Sequence, residues 1–96
     1  MTEQEDKHYH DACAELFAAI ETLLEDNEID YDNNGNVLEI ITEEDEKVII
    51  NKQTPMHEVW LAARTGGKHF KLQAGEWRDT RDNTTLLAQL KLLLAL

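Results

Sequence analysis

The chain has 96 residues, of which 20 are Asp or Glu and 9 are Lys or Arg, for a formal net charge of −11. That length supports one core, since chains of this size bury only about two-thirds of the surface exposed when unfolded, so residues 1–96 read as one domain. Residues 1–46 hold 16 of the acids and a single base, Lys7, whereas residues 47–96 hold 4 acids and 8 bases; such a front half repels phosphate, excluding nucleic acid and anionic membrane as partners and favouring cations and basic protein surfaces.

The opening residues Thr2, Glu3, Gln4, Glu5 and Asp6 are followed by neither a basic nor an apolar run, so no signal or transit peptide is expected. From Tyr9 to Leu24 the apolar residues Tyr9, Cys13, Leu16, Phe17, Ile20, Leu23 and Leu24 recur at three- and four-residue steps. That spacing predicts a helix ending near Asn27, with Asp11, Glu15, Glu21 and Glu25 off its apolar stripe. The period then falls to two. Ile29 and Tyr31 alternate with Asp30 and Asp32, residues 33–36 form an Asn/Gly turn, and residues 37–42 supply a partner strand. A turn of four acids at 43–46 leads to an Ile-rich strand over 47–52, which Pro55 separates from a strand over 58–63.

In the strand over 58–63, Val59, Leu61 and Ala63 share one parity, which places Trp60 on the opposite, solvent face with Glu58 and Ala62. Asn51 and Gln53 share that outer face if Val48 and Ile50 point inward, giving an aromatic and amide patch with the character of a protein interface. The blander alternative is that Trp60 merely covers its neighbours. Gly66 and Gly67 are expected to turn the chain into a strand over 68–72, and Gly75 precedes a short segment around Trp77, which is assigned to the core. Asp82 or Asn83 is expected to cap a last helix whose apolar face is Leu86, Leu87, Leu90, Leu93 and Leu94. The Leu-rich end contains Gln89 and Lys91 and falls short of the ~20 residues that cross a bilayer. The fold class is therefore α+β: a two-layer sandwich, two terminal helices on one face of a five- to six-stranded antiparallel sheet. One cysteine, Cys13, on the apolar stripe, fits a reducing compartment, and the expected location is the cytoplasm.

The stretch Asn51-Lys52-Gln53-Thr54-Pro55-Met56-His57-Glu58-Val59-Trp60-Leu61-Ala62-Ala63, followed by Gly66-Gly67-Lys68-His69-Phe70, resembles the signature of the frataxin family in its bacterial, CyaY-type form. Matches at the acidic end of the first helix, at the Gly35 hairpin and at Gly75-Glu76-Trp77 extend the resemblance over nearly the whole chain. It implies binding of iron (Fe²⁺ or Fe³⁺) along an acidic ridge, and contact with a cysteine desulfurase and a scaffold protein during iron-sulfur cluster assembly. It also implies that Asn51, Gln53 and Trp60 contact those partners, with His69 at a surface position often basic in the family. Two departures stand out: Glu58 where the family often has Gln, and an end at Leu96 without the tail that some members lay over the helices.

The ridge candidates are Asp11, Glu15, Glu21, Glu25, Asp26, Glu28, Asp30 and Asp32. Helix residues four apart stand about 6 Å from each other, so Glu21 and Glu25 can share a cation, and Asp30 and Asp32 project from one side of their strand. No spacing fixes four to six ligands around a point, so binding is expected to be weak, surface-exposed and open to other divalent cations. Without the resemblance, such a charge run reads as a solvated face. The same charge density would also steer a basic partner, with no coordination geometry required. His8 and His10, two apart, do not share a helical face and are poor ligand candidates. No phosphate-binding Gly loop, HExxH or nucleophile elbow occurs, so no enzyme is expected. The rival readings are a carboxylate-rich iron oxidase or storage protein, and an acidic adaptor without physiological metal. A monomer is expected, with iron-driven oligomers as an extension.

Overall fold

The computed structural model, which describes residues 3–42 and 46–96, opens on a 24-residue helix, α1 (Glu3–Asp26). It starts six residues before the apolar stripe does, because Glu3, Glu5 and Asp6 sit in its first turn, where negative charge complements the helix dipole. Hydrophobic spacing reports only the part of a helix that is packed. The helix ends in a Schellman motif: the Ile29 N–H donates to the Leu24 carbonyl (2.9 Å) and the Glu28 N–H to the Glu25 carbonyl (3.2 Å). Glu28 takes the left-handed conformation that the motif requires (φ 57°).

Six strands follow in one antiparallel sheet whose spatial order is the chain order: β1 (Asp30–Asn33), β2 (Val37–Ile41), β3 (Lys47–Gln53), β4 (Glu58–Ala63), β5 (Gly66–Gln73) and β6 (Glu76–Asp79). The expected five or six strands resolve as six. Gly66 and Gly67 open β5 instead of forming the turn before it; Ala63 pairs with Gly66, leaving Arg64 and Thr65 as a two-residue turn. Gly66 takes φ +129°, a conformation that side chains resist. Of the acidic turn expected at 43–46, residues 43–45 lie outside the described residues.

Helix α2 (Leu86–Leu94) closes the fold. Its cap is Thr85, whose hydroxyl accepts the Ala88 N–H (3.2 Å), and not Asp82 or Asn83. The Asp82 carboxylate is used earlier, by the N–H and O–H of Thr84, and Asn83 is left-handed (φ 67°), so the helical path cannot begin at either. Thr85→Ala is expected to cost about 0.5–2 kcal/mol, read as a lower urea midpoint with an unchanged denaturant slope.

Both helices lie on one face of the sheet. The α1 stripe of Tyr9, Cys13, Leu16, Phe17, Ile20 and Leu24 meets Leu38, Ile40, Val48, Ile50, Val59, Leu61, Phe70 and Trp77 from the sheet and Leu86 and Leu90 from α2. Trp77 is in the core, as its position predicts. Cys13 is fully buried, and that burial pushes its thiol up, away from reactivity. Among the described residues no helix is long and apolar enough to cross a membrane. The core faces alternate along the strands, so every second residue of β1 to β6 is presented on the opposite face, away from the helices.

Candidate functional site

The seam between α1 and β1 gathers acids. Glu21 and Glu25 stand one helical turn apart, and β1 runs close enough for Tyr31 to donate its O–H to Glu25 Oε1 (2.6 Å) and for Asn33 Nδ2 to donate to Glu21 Oε2 (3.3 Å). Asp26, Glu28, Asp30 and Asp32 are exposed in the turn and strand directly after the helix, Asp30 and Asp32 flanking the half-buried Tyr31. Six of the eight ridge candidates thus occupy one end of the molecule.

The other two are elsewhere. Asp11 is ten residues before Glu21, about 15 Å along the helix axis, and is engaged by Lys7 Nζ at 2.8 Å; that hydrogen bond and charge hold its carboxyl below the usual range. Glu15 lines a groove between the two helices with Leu16, Trp77 and Leu86. The helical turn explains the split: Glu15 and Glu21 are six residues apart, about 120° away from sharing a face. Among the described residues no group of three or more Asp, Glu, His or Cys converges to hold a metal ion. The exposed carboxylates at this end suit a hard cation held by one or two of them with water completing the shell.

Crowded negative charge leaves a mark on Tyr31. Its phenol is pushed up to about 12, first by the hydrogen bond to Glu25, then by burial and by the charges of Glu21 and Glu25. A raised folded-state value favours the neutral phenol, so this contact stabilises the fold fully below the ordinary phenol range and the contribution is lost as pH rises through about 12. In a tyrosinate absorbance titration, with the fold followed by circular dichroism, Glu25→Ala is expected to bring the Tyr31 midpoint down towards the ordinary value. A midpoint unmoved by that substitution would show that the seam does not set it.

The second feature lies on the outer face of the sheet. Register places Asn51, Trp60 and His69 on one rung across β3, β4 and β5, and Gln53, Glu58 and Lys71 on the next. Asn51, Gln53 and Trp60 are half-buried and His69 is exposed, so the four sequence-predicted contact residues form one patch. The Trp60 indole stacks on the His69 ring, 4.2 Å between centroids and 8° from parallel. Its Nε1–H donates to Glu58 Oε1 (2.8 Å), and Gln53 Nε2 donates to Asn51 Oδ1 (2.8 Å). Parity alone put Glu58 in solvent beside Trp60; it is on that face but only 8 % exposed, because its rung neighbours and the indole close over it. Sequence reasoning placed Glu58 on this face but missed its burial, and missed Lys71 altogether; strand register, which sets Lys71 opposite Glu58, reveals both.

Charge across the outer face is graded. Asp30 and Asp32 mark the β1 margin; on β2, Glu39 is paired with Lys47 of β3 (3.0 Å). At the other margin stand His69, Lys71 and Arg78, the last two directly paired between β5 and β6, with Glu76 bridged to Arg78 at 2.7 Å. Of the remaining histidines, His57 Nε2 meets Asp6 Oδ1 at 2.7 Å and its ring stacks on Tyr9 (4.9 Å, 14°), while the Tyr9 O–H donates to the Glu58 carbonyl (2.7 Å). These contacts tie the start of α1 to the β3–β4 connection. His10 packs edge-on against Tyr9 (5.2 Å), and His8 lines a shallow cavity with Met56 and His57.

Comparison with known proteins concerns nearly the whole chain. The model of the frataxin-like domain matches residues 2–95. The iron-sulfur cluster assembly protein CyaY of Paraburkholderia phymatum is 44 % identical over 87 residues, covering 88 % of this chain and 83 % of its own. The protein of the same description from Shewanella sp. strain ANA-3 is 41 % identical over 83 residues, covering 80 % of this chain and 76 % of its own. Among solved structures, frataxin from Psychromonas ingrahamii superposes with a TM-score of 0.87 at 34 % identity, covering 92 % of this chain and 86 % of that one. Trimeric frataxin from the yeast Saccharomyces cerevisiae, complexed with ferrous iron, gives a TM-score of 0.75 at 28 % identity over 88 % of this chain and 81 % of that one.

Proposed function

The chain belongs to the frataxin family, and from that premise we propose that it is a non-catalytic iron-sulfur cluster assembly protein, one domain over residues 1–96, that carries iron loosely and docks on a cysteine desulfurase. The observation that carries this reading is the placement of six acids, Glu21, Glu25, Asp26, Glu28, Asp30 and Asp32, at the α1–β1 end of a molecule that also presents Trp60 on its outer sheet face. Iron is cargo here, not a resident cofactor. One or two exposed carboxylates hold it weakly, and other divalent cations compete with it. The acids also create a field that speeds encounter with a basic partner surface, while the half-buried patch of Asn51, Gln53, Trp60 and His69 provides the short-range contact with the desulfurase and the scaffold protein. Asp11 and Glu15 contribute to the field but stand outside the cation site.

Location in the cytoplasm and a monomer that assembles further with iron belong to the same reading, the latter supported by the trimeric state of the ferrous yeast relative. The test is nuclear magnetic resonance of the isotope-labelled chain, first with Fe²⁺ and then with a cysteine desulfurase. Line broadening by Fe²⁺ is expected to be confined to residues 21–32, and desulfurase to perturb those residues together with residues 51–69. Broadening spread evenly over all surface acids would overturn the cation site. Oxidation of Fe²⁺ by the chain at a rate above that of an unrelated acidic protein of equal charge would favour the oxidase reading instead.

A further inference from the structure

Glu58 is the anomaly of the outer face. A carboxylate only 8 % exposed has given up most of its hydration, and that loss is tolerated only where protein donors take the place of water. Three groups approach it: Trp60 Nε1–H at 2.8 Å from Oε1, His69 Nδ1 at 3.8 Å from Oε1, and Lys71 Nζ at 3.8 Å from Oε2. Only the first is within hydrogen-bonding distance. The other two come from directly opposite positions on β5, which pairs Lys71 with Glu58 and His69 with Trp60. Two rungs of the sheet therefore close into a ring of four side chains around a single short bond.

The consequence falls on the indole. Its one polar atom is already engaged, and its plane is held 8° from that of His69. What Trp60 leaves open to a partner is carbon surface, in one orientation. An unfixed indole would have to surrender rotamer freedom on binding, whereas one locked in advance does not. We propose that Glu58 is a positioning residue for docking: its carboxylate accepts the Trp60 N–H and fixes the ring flat on His69, so that the indole offers a partner a pre-ordered carbon face and no donor of its own. Such a face accepts the flat guanidinium of a basic surface. This rests on the docking role of Trp60 proposed above, and it assigns Glu58 a task in place of the solvent exposure that strand parity suggests.

Two measurements separate the positioning claim from the docking role. On the free labelled chain, the Trp60 indole N–H resonance is identified by its loss in Trp60→Phe. Glu58→Ala is expected to speed its solvent exchange about tenfold or more and to abolish the nuclear Overhauser contacts between the Trp60 and His69 rings. Glu58→Gln, whose amide oxygen accepts the same bond, is expected to keep both; a purely structural role would not require rescue by that variant. With a cysteine desulfurase, Glu58→Ala is expected to weaken binding about three- to tenfold, Glu58→Gln to bind as the parent does, and Trp60→Ala to bind more weakly than either. Unchanged exchange and ring contacts in Glu58→Ala, or their loss in Glu58→Gln with the fold intact, would overturn the positioning claim whatever the desulfurase does. Unchanged desulfurase binding by Trp60→Ala would overturn the docking role and leave the free-chain result to stand or fall on its own.

Discussion

Replacing Glu25, Asp26 and Asp30 together by lysine is expected to slow association with a cysteine desulfurase by about ten- to a thousandfold at low ionic strength, the range over which electrostatic steering acts. Each reversal adds two charges, so the chain moves from −11 to −5, and every change falls within the α1–β1 end. The fold should survive. All three residues are exposed; the reversal removes one surface hydrogen bond, from Tyr31 to Glu25, and exposed pairs of this kind contribute about a kilocalorie or less. The loss should appear in the association rate, with dissociation set mainly by the short-range contacts of the Trp60 patch. It should shrink as salt is raised, because the Debye length falls from about 30 Å at 0.01 M to about 8 Å at 0.15 M. Stopped-flow association over a salt series measures both. Equal rates for the parent and the triple variant at low salt would remove the steering role from the seam.

Phe70→Ala addresses the scaffold instead of the surface and is expected to lower stability by about 3–5 kcal/mol. Phe70 is fully buried at the middle of β5, opposite Val59 on one side and Asp79 on the other. It lies where the sheet meets the helices, so its loss leaves a cavity that neither layer can readily close. Against a total of about 5–15 kcal/mol for a typical domain, this removes a large part of the folded state's margin. Urea unfolding followed by circular dichroism should show the midpoint collapse. Trp60→Ala, one strand away but on the outer face, should shift it far less. A similar shift in both would mean that the outer face carries as much packing as the core, and Trp60 would lose its standing as a surface displayed for a partner.

These two variants mark how much of the molecule can be read without coordinates. The helix at the start, the sheet and its inner face were legible, because burial imposes a period on the sequence: 3.6 for the stripe of Tyr9, Cys13, Leu16, Phe17, Ile20 and Leu24, and 2 for Val59, Leu61 and Ala63. The placement of Trp60 on the outer face followed from the same parity, and Trp77 lies in the core to which it was assigned. Where local backbone chemistry competes, the reading slipped. Four polar residues before α2, Asp82 to Thr85, are of capping type, and the choice of Thr85 depends on Asp82 already serving Thr84. Gly66 and Gly67 look like a turn, and only strand pairing shows that the turn lies two residues earlier.

What composition and periodicity determine about this protein is therefore its layering and the sign of its charge, since both are sums over residues and their order. Tertiary structure decided which charges meet. It divided eight acids into six at the α1–β1 end and two on other parts of α1, because the length of the helix separates Asp11, and its turn separates Glu15, from Glu21. It also brought Glu58, Trp60, His69 and Lys71 into one arrangement, because cross-strand register joins residues that no sequence spacing connects.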